Sequence, residues 1–382
     1  MEAWPWVDIG RKRLIDRIWA KGGIARVGRN TWMVARYELS RQALEDRRIL
    51  VEPPPQIEQE SNSRSTRRHP RIPRSDSAES DTIKSALRVG VSVRLEQIER
   101  EMKESVRNTL HSVTSRNVTD AVTEIARPIA EAGLFLTLGV PRNDWEGLSH
   151  LGRKVAAGPS VTMSEKAAKE LYAADIAVQE YFLQFCEGFP HGDGLANDVM
   201  SAANGCLNQE LLASSMALLT EAGLATTSDL LTSIILMSPW LADTLASGEL
   251  RKGLQEVARA SSPVHTATAR YIAEDVSLGD AKLQRGDRVL ILLDAANHDP
   301  LAFECPFTLN VIHTNNRNIA FGSGRHRCPG SKLARVLSES VAFTLLEEMG
   351  LTARIAGPLS RAPTASGVGI SAAPVEVIRA VE

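Results

Sequence analysis

The chain has 382 residues, 43% of them apolar and 24% charged, which is enough for one large globular unit with a substantial core. A formal charge of −2 gives no global attraction to nucleic acid or to a membrane surface, so recognition must come from local patches. The four cysteines, Cys186, Cys206, Cys305 and Cys328, are far apart without a CxxC pair, which argues against a zinc ribbon or a disulfide scaffold and points to a reducing cytoplasm.

The first segment, MEAWPWVDIGRKRL, lacks the apolar run of a signal peptide, and no uninterrupted apolar stretch reaches the roughly 18 residues of a membrane span. Residues 11–50 predict a helix (RKRLIDRIWAKGG), a hairpin (IARVGRNTWMVARY) turning at Gly28-Arg29-Asn30, and a second helix (ELSRQALEDRRIL). From Glu52 to Ser80 the composition shifts to Pro, Ser and Arg, which predicts a long loop. Its arginines, Arg64, Arg67, Arg68, Arg71 and Arg74, suit either an anionic ligand or plain solvation.

Helical periodicity then runs from Asp81 to about Ser247, with breaks near Gly139–Asp144, Gly158–Val161 and Gly188–Gly194. After Glu256 the pattern changes to short extended pieces, with Arg285-Gly286-Asp287 marking a turn. A last helix follows Cys328, and GVGISAAPVEVIRAV closes the chain with strand-like alternation. The expected layout is mainly α with a small β portion, as a single domain over 1–382 with a long loop at about 52–80.

FGSGRHRCPGSKLAR, Phe321 to Arg335, sets Cys328 among glycines and cations ahead of a helix. A cysteine needs a cationic or metal environment to exist as thiolate at neutral pH, and glycines at 322, 324 and 330 let backbone approach a ligand closely. The spacing Phe321-x-x-Gly324-x-His326-x-Cys328-x-Gly330 resembles the haem-thiolate signature of the cytochrome P450 superfamily. The resemblance extends to Glu256-x-x-Arg259, to PVHTATARYIAEDVSLGD and AANHDP, and to Ala222-Gly223-Leu224-Ala225-Thr226-Thr227.

That resemblance implies the cytochrome P450 fold, haem b (iron protoporphyrin IX) as cofactor and Cys328 as the proximal iron ligand. It assigns Phe321, Gly324 and Gly330 to the porphyrin and sulfur, and His326 and Arg270 to the propionates. On the distal side it places Ala222 at the cofactor, Gly223 at a helix bulge that admits dioxygen, and Thr226 at the hydroxyl that organises proton delivery. Three departures stand out. Asp81 and Ser85 occupy the places of a family His/Arg propionate pair, leaving Lys84 or Arg88 to compensate; Ala225 replaces the acid before the threonine, with Glu221 or Asp229 as substitutes; and the third member of the Glu/Arg/Arg set, expected near Thr308, has no arginine there.

By the same resemblance the expected activity is a cytoplasmic monooxygenase of specialised (secondary) metabolism that uses dioxygen on a small organic substrate, most simply by hydroxylation. Oxidative coupling, desaturation, peroxide-driven chemistry and a haem-free helper of the same fold stay open. No flavin or nicotinamide fingerprint is present, so electrons are expected from an external ferredoxin and ferredoxin reductase, docked by Arg325, Arg327, Lys332 and Arg335. The expected pocket draws on the 53–80 loop, the 155–195 region, Leu218–Thr227, Val264–Thr268 and Ala365–Ile370. The arginine-rich loop adds an acidic or carrier-bound substrate as a variant.

Overall fold

A computed structural model describes residues 9–53, 75–158, 164–187, 194–203, 208–314, 318–365 and 367–380. In chain order the elements are α1 (Ile9–Trp19), β1 (Ile24–Gly28), β2 (Thr31–Val34), α2 (Tyr37–Glu45), β3 (Ile49–Leu50), α3 (Ala78–Val113) and β4 (Thr119–Asp120). A π-turn over Ala121–Ala126 leads into α4 (Arg127–Leu138), followed by α5 (Trp145–Ala156), α6 (Glu165–Glu187), α7 (Leu195–Ala202), α8 (Gln209–Leu236), α9 (Ser238–Ala246) and α10 (Leu250–Ser261). Then come β5 (Arg270–Ile272), β6 (Val276–Leu278), β7 (Ala281–Leu283), β8 (Arg288–Ile291), α11 (Leu293–Asn297) and α12 (Ser331–Phe343). The chain closes with β9 (Leu351–Ile355), β10 (Ser360–Thr364), β11 (Gly367–Ala372) and β12 (Pro374–Arg379). The expectation of a mainly α chain with a small β portion holds.

Two compact units emerge, one of residues 1–81 with 255–328 and one of 82–254 with 329–382. The first carries a five-stranded sheet in the order β1-β2-β8-β5-β3, antiparallel except for the β2–β8 pair. Its inner face buries Ile24, Val34, Ile49, Ile272, Val289 and Ile291 against Tyr37, Phe303 and Ile319. The hairpin forms as its sequence predicts, but α2 stops earlier than expected. Asp46 turns extended (ψ 123°) and its carboxylate takes the Arg48 amide at 2.9 Å and the Arg48 guanidinium at 2.7 Å, so Ile49 and Leu50 leave the helix and pair as β3 with Ile272 and Tyr271.

The second unit is built on α8, whose apolar content is high all round and which is accordingly buried along most of its length. In α3, Ile83, Leu87, Val91, Ile98, Met102, Val106 and Leu110 form the buried stripe that a 3.6-residue period dictates. Arg94 fills the gap in that stripe and pairs with Asp198 of α7. Two small sheets, β4-β12-β9 and the β10-β11 hairpin, complete this unit. The break at 114–118 before β4, and strands β9 and β10, are not anticipated by the periodicity; the breaks at 159–161 and 188–193, Cys206 and the five arginines of the 52–80 loop lie outside the described residues. No described helix is long and apolar enough to cross a membrane.

Candidate functional site

The cysteine loop is held at its start by a chain of buried polar contacts in the first unit. Arg259 forks onto Glu256 through two bonds of 2.8 Å and donates to the carbonyls of Asn297 at 2.6 Å and Pro306 at 2.9 Å. Asn297 in turn donates to Ser262 Oγ at 2.8 Å and accepts the Ile319 amide at 2.8 Å. The place left without an arginine near Thr308 is taken by His313. Its Nδ1 lies 2.8 Å from Glu256 Oε1 and its Nε2 2.5 Å from the Glu304 carbonyl.

Beyond Ile319 the loop tightens. The Cys328 amide donates to the Phe321 carbonyl at 2.9 Å, and a short 3-10 turn over Gly324–His326 lies between them. Gly324 has φ +69°, and a Cβ there would stand 2.7 Å from the Leu44 carbonyl oxygen, so only glycine lets this turn rest on the end of α2. Ser323 Oγ donates to Glu45 Oε1 at 2.5 Å at the same place. Cys328 is exposed and forms no disulfide among the described residues, and Phe321 is half-buried. Gly330 is the N-cap of α12 at φ −83°, a conformation open to other residues, so the need for glycine there does not come from backbone strain.

The charges around this loop are unevenly matched. Arg270 is buried, its one hydrogen bond runs to the Thr268 carbonyl at 2.6 Å, and no described carboxylate lies within ion-pair distance. Burial pushes its guanidinium down to about 10, with Asp76 partly offsetting. His326, the other expected propionate partner, instead meets Asp76, Nε2 to Oδ1 at 2.7 Å. Burial would raise the Asp76 carboxyl, but His326 and the amides of Glu52 and Val51 outweigh it and hold it at about 2. Asp81, which sequence reasoning treats as a repulsive neighbour, is neutralised by Arg325, whose Nε reaches both oxygens at 2.8 and 2.9 Å. Arg325 is therefore engaged in the fold, whereas Arg327 is exposed; in the second unit Lys84 is buried, Lys332 donates to Ser92 at 2.9 Å, and Arg88 is exposed.

The remaining candidates lie on α8. Thr226 Oγ1 donates back to the Ala222 carbonyl at 2.7 Å, and the α-helix runs through Gly223 without interruption, so the expected bulge is not a break in the ladder. Ala222 is exposed and Gly223, Ala225, Thr226 and Asp229 are partly exposed, within a helix otherwise largely sealed. Of the two substitute acids, Glu221 is buried and Asp229 accepts the Ile370 amide of β11 at 3.2 Å.

The first unit thus assembles Phe321, Gly324, His326, Cys328 and Arg270, while Ala222, Gly223, Thr226 and Gly330 lie in the second. Sequence reasoning does not find Asp76 or His313. Asp76 follows a Pro/Ser/Arg-rich stretch and carries no motif; His313 was findable as the only ionisable side chain between Phe307 and Thr314.

A family model described as cytochrome P450 matches residues 250–367. The chain is 28% identical over 256 residues to the biotin biosynthesis cytochrome P450 of Bacillus subtilis (strain 168), a match spanning 64% of this chain and 64% of that protein's own length. It is 28% identical over 343 residues to cytochrome P450 105C1 of Streptomyces sp, covering 88% and 85%. Among solved structures, P450BioI in complex with a hexadec-9Z-enoic acid ligated acyl carrier protein superposes with a TM-score of 0.84 at 24% identity over 95% of this chain and 97% of that one, a likeness of fold.

Proposed function

Because this chain belongs to the cytochrome P450 superfamily, we propose that it is a single-domain haem-thiolate monooxygenase that hydroxylates a small organic molecule of specialised metabolism. The donor set fits an iron porphyrin bearing two carboxylates: an exposed thiol on a glycine-tightened turn, and a buried guanidinium with no ion-pair carboxylate among the described residues. That unpaired Arg270 is the observation that carries the reading, because a guanidinium removed from water without a counter-ion is costly unless an anion joins it.

When bound, haem supplies the one-electron chemistry and dioxygen activation that no amino-acid side chain provides. Each residue then has a defined task. Cys328 gives its thiolate as the iron ligand, and Phe321 packs beside the sulfur. Gly324 fixes the loop at close range, and Gly330 opens α12 directly behind the ligand. Arg270 meets a propionate, and His326, whose Nε2 also faces Asp76, serves the second. On α8, Ala222 and Gly223 keep the helix face low enough for dioxygen to approach, and Thr226 holds a proton at Oγ1 that its present bond to Ala222 O keeps oriented. Ala225 supplies no proton, so the relay from solvent must start elsewhere. An external ferredoxin and its reductase supply the electrons.

The test is spectroscopic. The purified protein, reduced and exposed to carbon monoxide, should show the red-shifted Soret band of thiolate ligation, and Cys328→Ala should lose it. A wild-type protein that takes up no haem, or whose band is that of nitrogen ligation, overturns the proposal.

A further inference from the structure

Asp229 stands three residues after Thr226, so both side chains leave α8 on one face. With Ala222 and Ala225 they form the strip of the helix that keeps access to solvent, flanked by the buried Glu221, Leu224, Ser228 and Leu230. A carboxylate offers about four acceptor sites. Asp229 uses one, for the Ile370 amide, and no described cation pairs with it. A carboxylate with one donor and no described counter-charge, partly withdrawn from water on a strip open to solvent, is characteristic of a binding or catalytic position.

The opposite strand is shaped around this acid. A Cβ at Gly369 would lie 2.5 Å from Asp229 Oδ2, so β11 forgoes a side chain where the carboxyl passes, and the next residue presents its N–H. Such accommodation has no purpose for a solvated acid, which would simply turn outward. An uncharged ligand would leave the carboxyl as poorly matched as before. A cationic nitrogen supplies both the missing donor and the missing charge.

We propose that Asp229 recognises a basic nitrogen of the substrate, seating a protonated amine between the Thr226 face of α8 and the Gly369–Ile370 segment of β11. This names a substrate class for the oxygenase proposed above and rests on that reading. The other charged groups on these elements are Glu210 and Glu221 on α8, Arg361 on β10, set opposite Ile370, and Glu124 on the π-turn, bound to Thr119 and Arg116. Burial holds the Asp229 carboxyl up at about 7, so a cation arriving below that pH displaces a proton, and affinity rises as pH climbs through neutrality.

The experiment is isothermal calorimetry on the purified holoprotein with two probes of equal shape, a phenylalkyl trimethylammonium ion and its uncharged tert-butyl analogue. A quaternary ammonium has no lone pair for iron, so any preference reports the protein wall. At about pH 8 the ammonium should bind at least about tenfold more tightly than the neutral analogue, because a cation beside a partly desolvated carboxylate gains at least that much from charge attraction alone. The preference should shrink at about pH 5.5. Asp229→Asn should abolish it while keeping the Soret band, and Asp229→Glu should restore part of it. No preference in the wild type, or a preference that survives in Asp229→Asn, overturns the proposal; so does an Asp229→Asn variant whose sole change is greater peroxide release, which would make Asp229 a proton carrier. Loss of the thiolate band in the wild type defeats the oxygenase reading instead, and the calorimetric comparison reports on the acid separately.

Discussion

Glu256 in the first unit is a fully buried carboxylate and Asp229 in the second a partly exposed one, and their surroundings differ as sharply as their burial. Glu256 accepts four donors: two nitrogens of Arg259, Nδ1 of His313 and the amide of Asn310. Asp229 accepts one amide and meets no described cation. Burial pushes both acids upward. At Glu256 the Arg259 fork, with His313 and the Asn310 amide, reverses that push and holds the carboxyl below its usual range; at Asp229 the single Ile370 amide does not, and the group stays at about 7. A saturated buried acid fixes a fold, whereas an unsaturated one on an open strip is left for something the chain does not itself supply.

The sharpest way to break this contrast is Arg259→Ala. It strips Glu256 of its counter-charge and leaves the Asn297 and Pro306 carbonyls without their donor at the point where the cysteine loop begins. Breaking one half of a buried pair typically costs about 3–5 kcal/mol, and urea unfolding of the variant should show a loss of that order. A loss below about 1 kcal/mol would mean that Glu256 is no more committed than Asp229.

Next in size is the pH dependence of Asp229→Asn. A carboxyl whose folded-state pKa is raised favours the fold below its unfolded value near 3.8 and loses that contribution as pH rises through about 7. The wild type should therefore weaken relative to Asp229→Asn between about pH 5 and pH 7, by roughly 1–3 kcal/mol, and the difference should level off above that. Unfolding free energies of the two proteins in matched buffers give this difference directly. A flat difference would show that Asp229 ionises freely, and the comparison with Glu256 would lose one side.

How far these sites are legible in the sequence follows the range of the contacts. The hairpin at Gly28–Asn30, the cysteine loop and the Glu256–Arg259 pair are local patterns, and each forms where its spacing places it. That Thr226 and Asp229 share a face also follows from the helical period alone. What the period cannot supply is Gly369, 140 residues onward, whose missing side chain decides where the Asp229 carboxyl lies. His313 is the same lesson in another form. The cluster requires a polar partner between Glu256 and the Glu304 carbonyl, not an arginine at a fixed offset, and the two ring nitrogens of an imidazole five residues past Thr308 face both. Asp76 is less legible still, since its partners Val51, Glu52 and His326 come from both sides of a long interruption.

The smallest expected effect supplies the control. Arg354 on β9 and Glu376 on β12 are an arginine and a glutamate directly opposite each other in register, joined by a side-chain ion pair as Arg259 and Glu256 are. The chemistry is the same and the setting is not: the Arg354 side chain is 66% exposed, against 1% for Arg259. Water screens the exposed pair and solvates whichever partner is left behind, so Arg354→Ala should cost no more than about 0.2–1 kcal/mol, falling further as salt is added. If this substitution proved as damaging as Arg259→Ala, the energetic weight would belong to the arginine–glutamate fork as such. Burial would then no longer distinguish a clasped acid from a reserved one, and the under-satisfied carboxyl of Asp229 would need a different explanation.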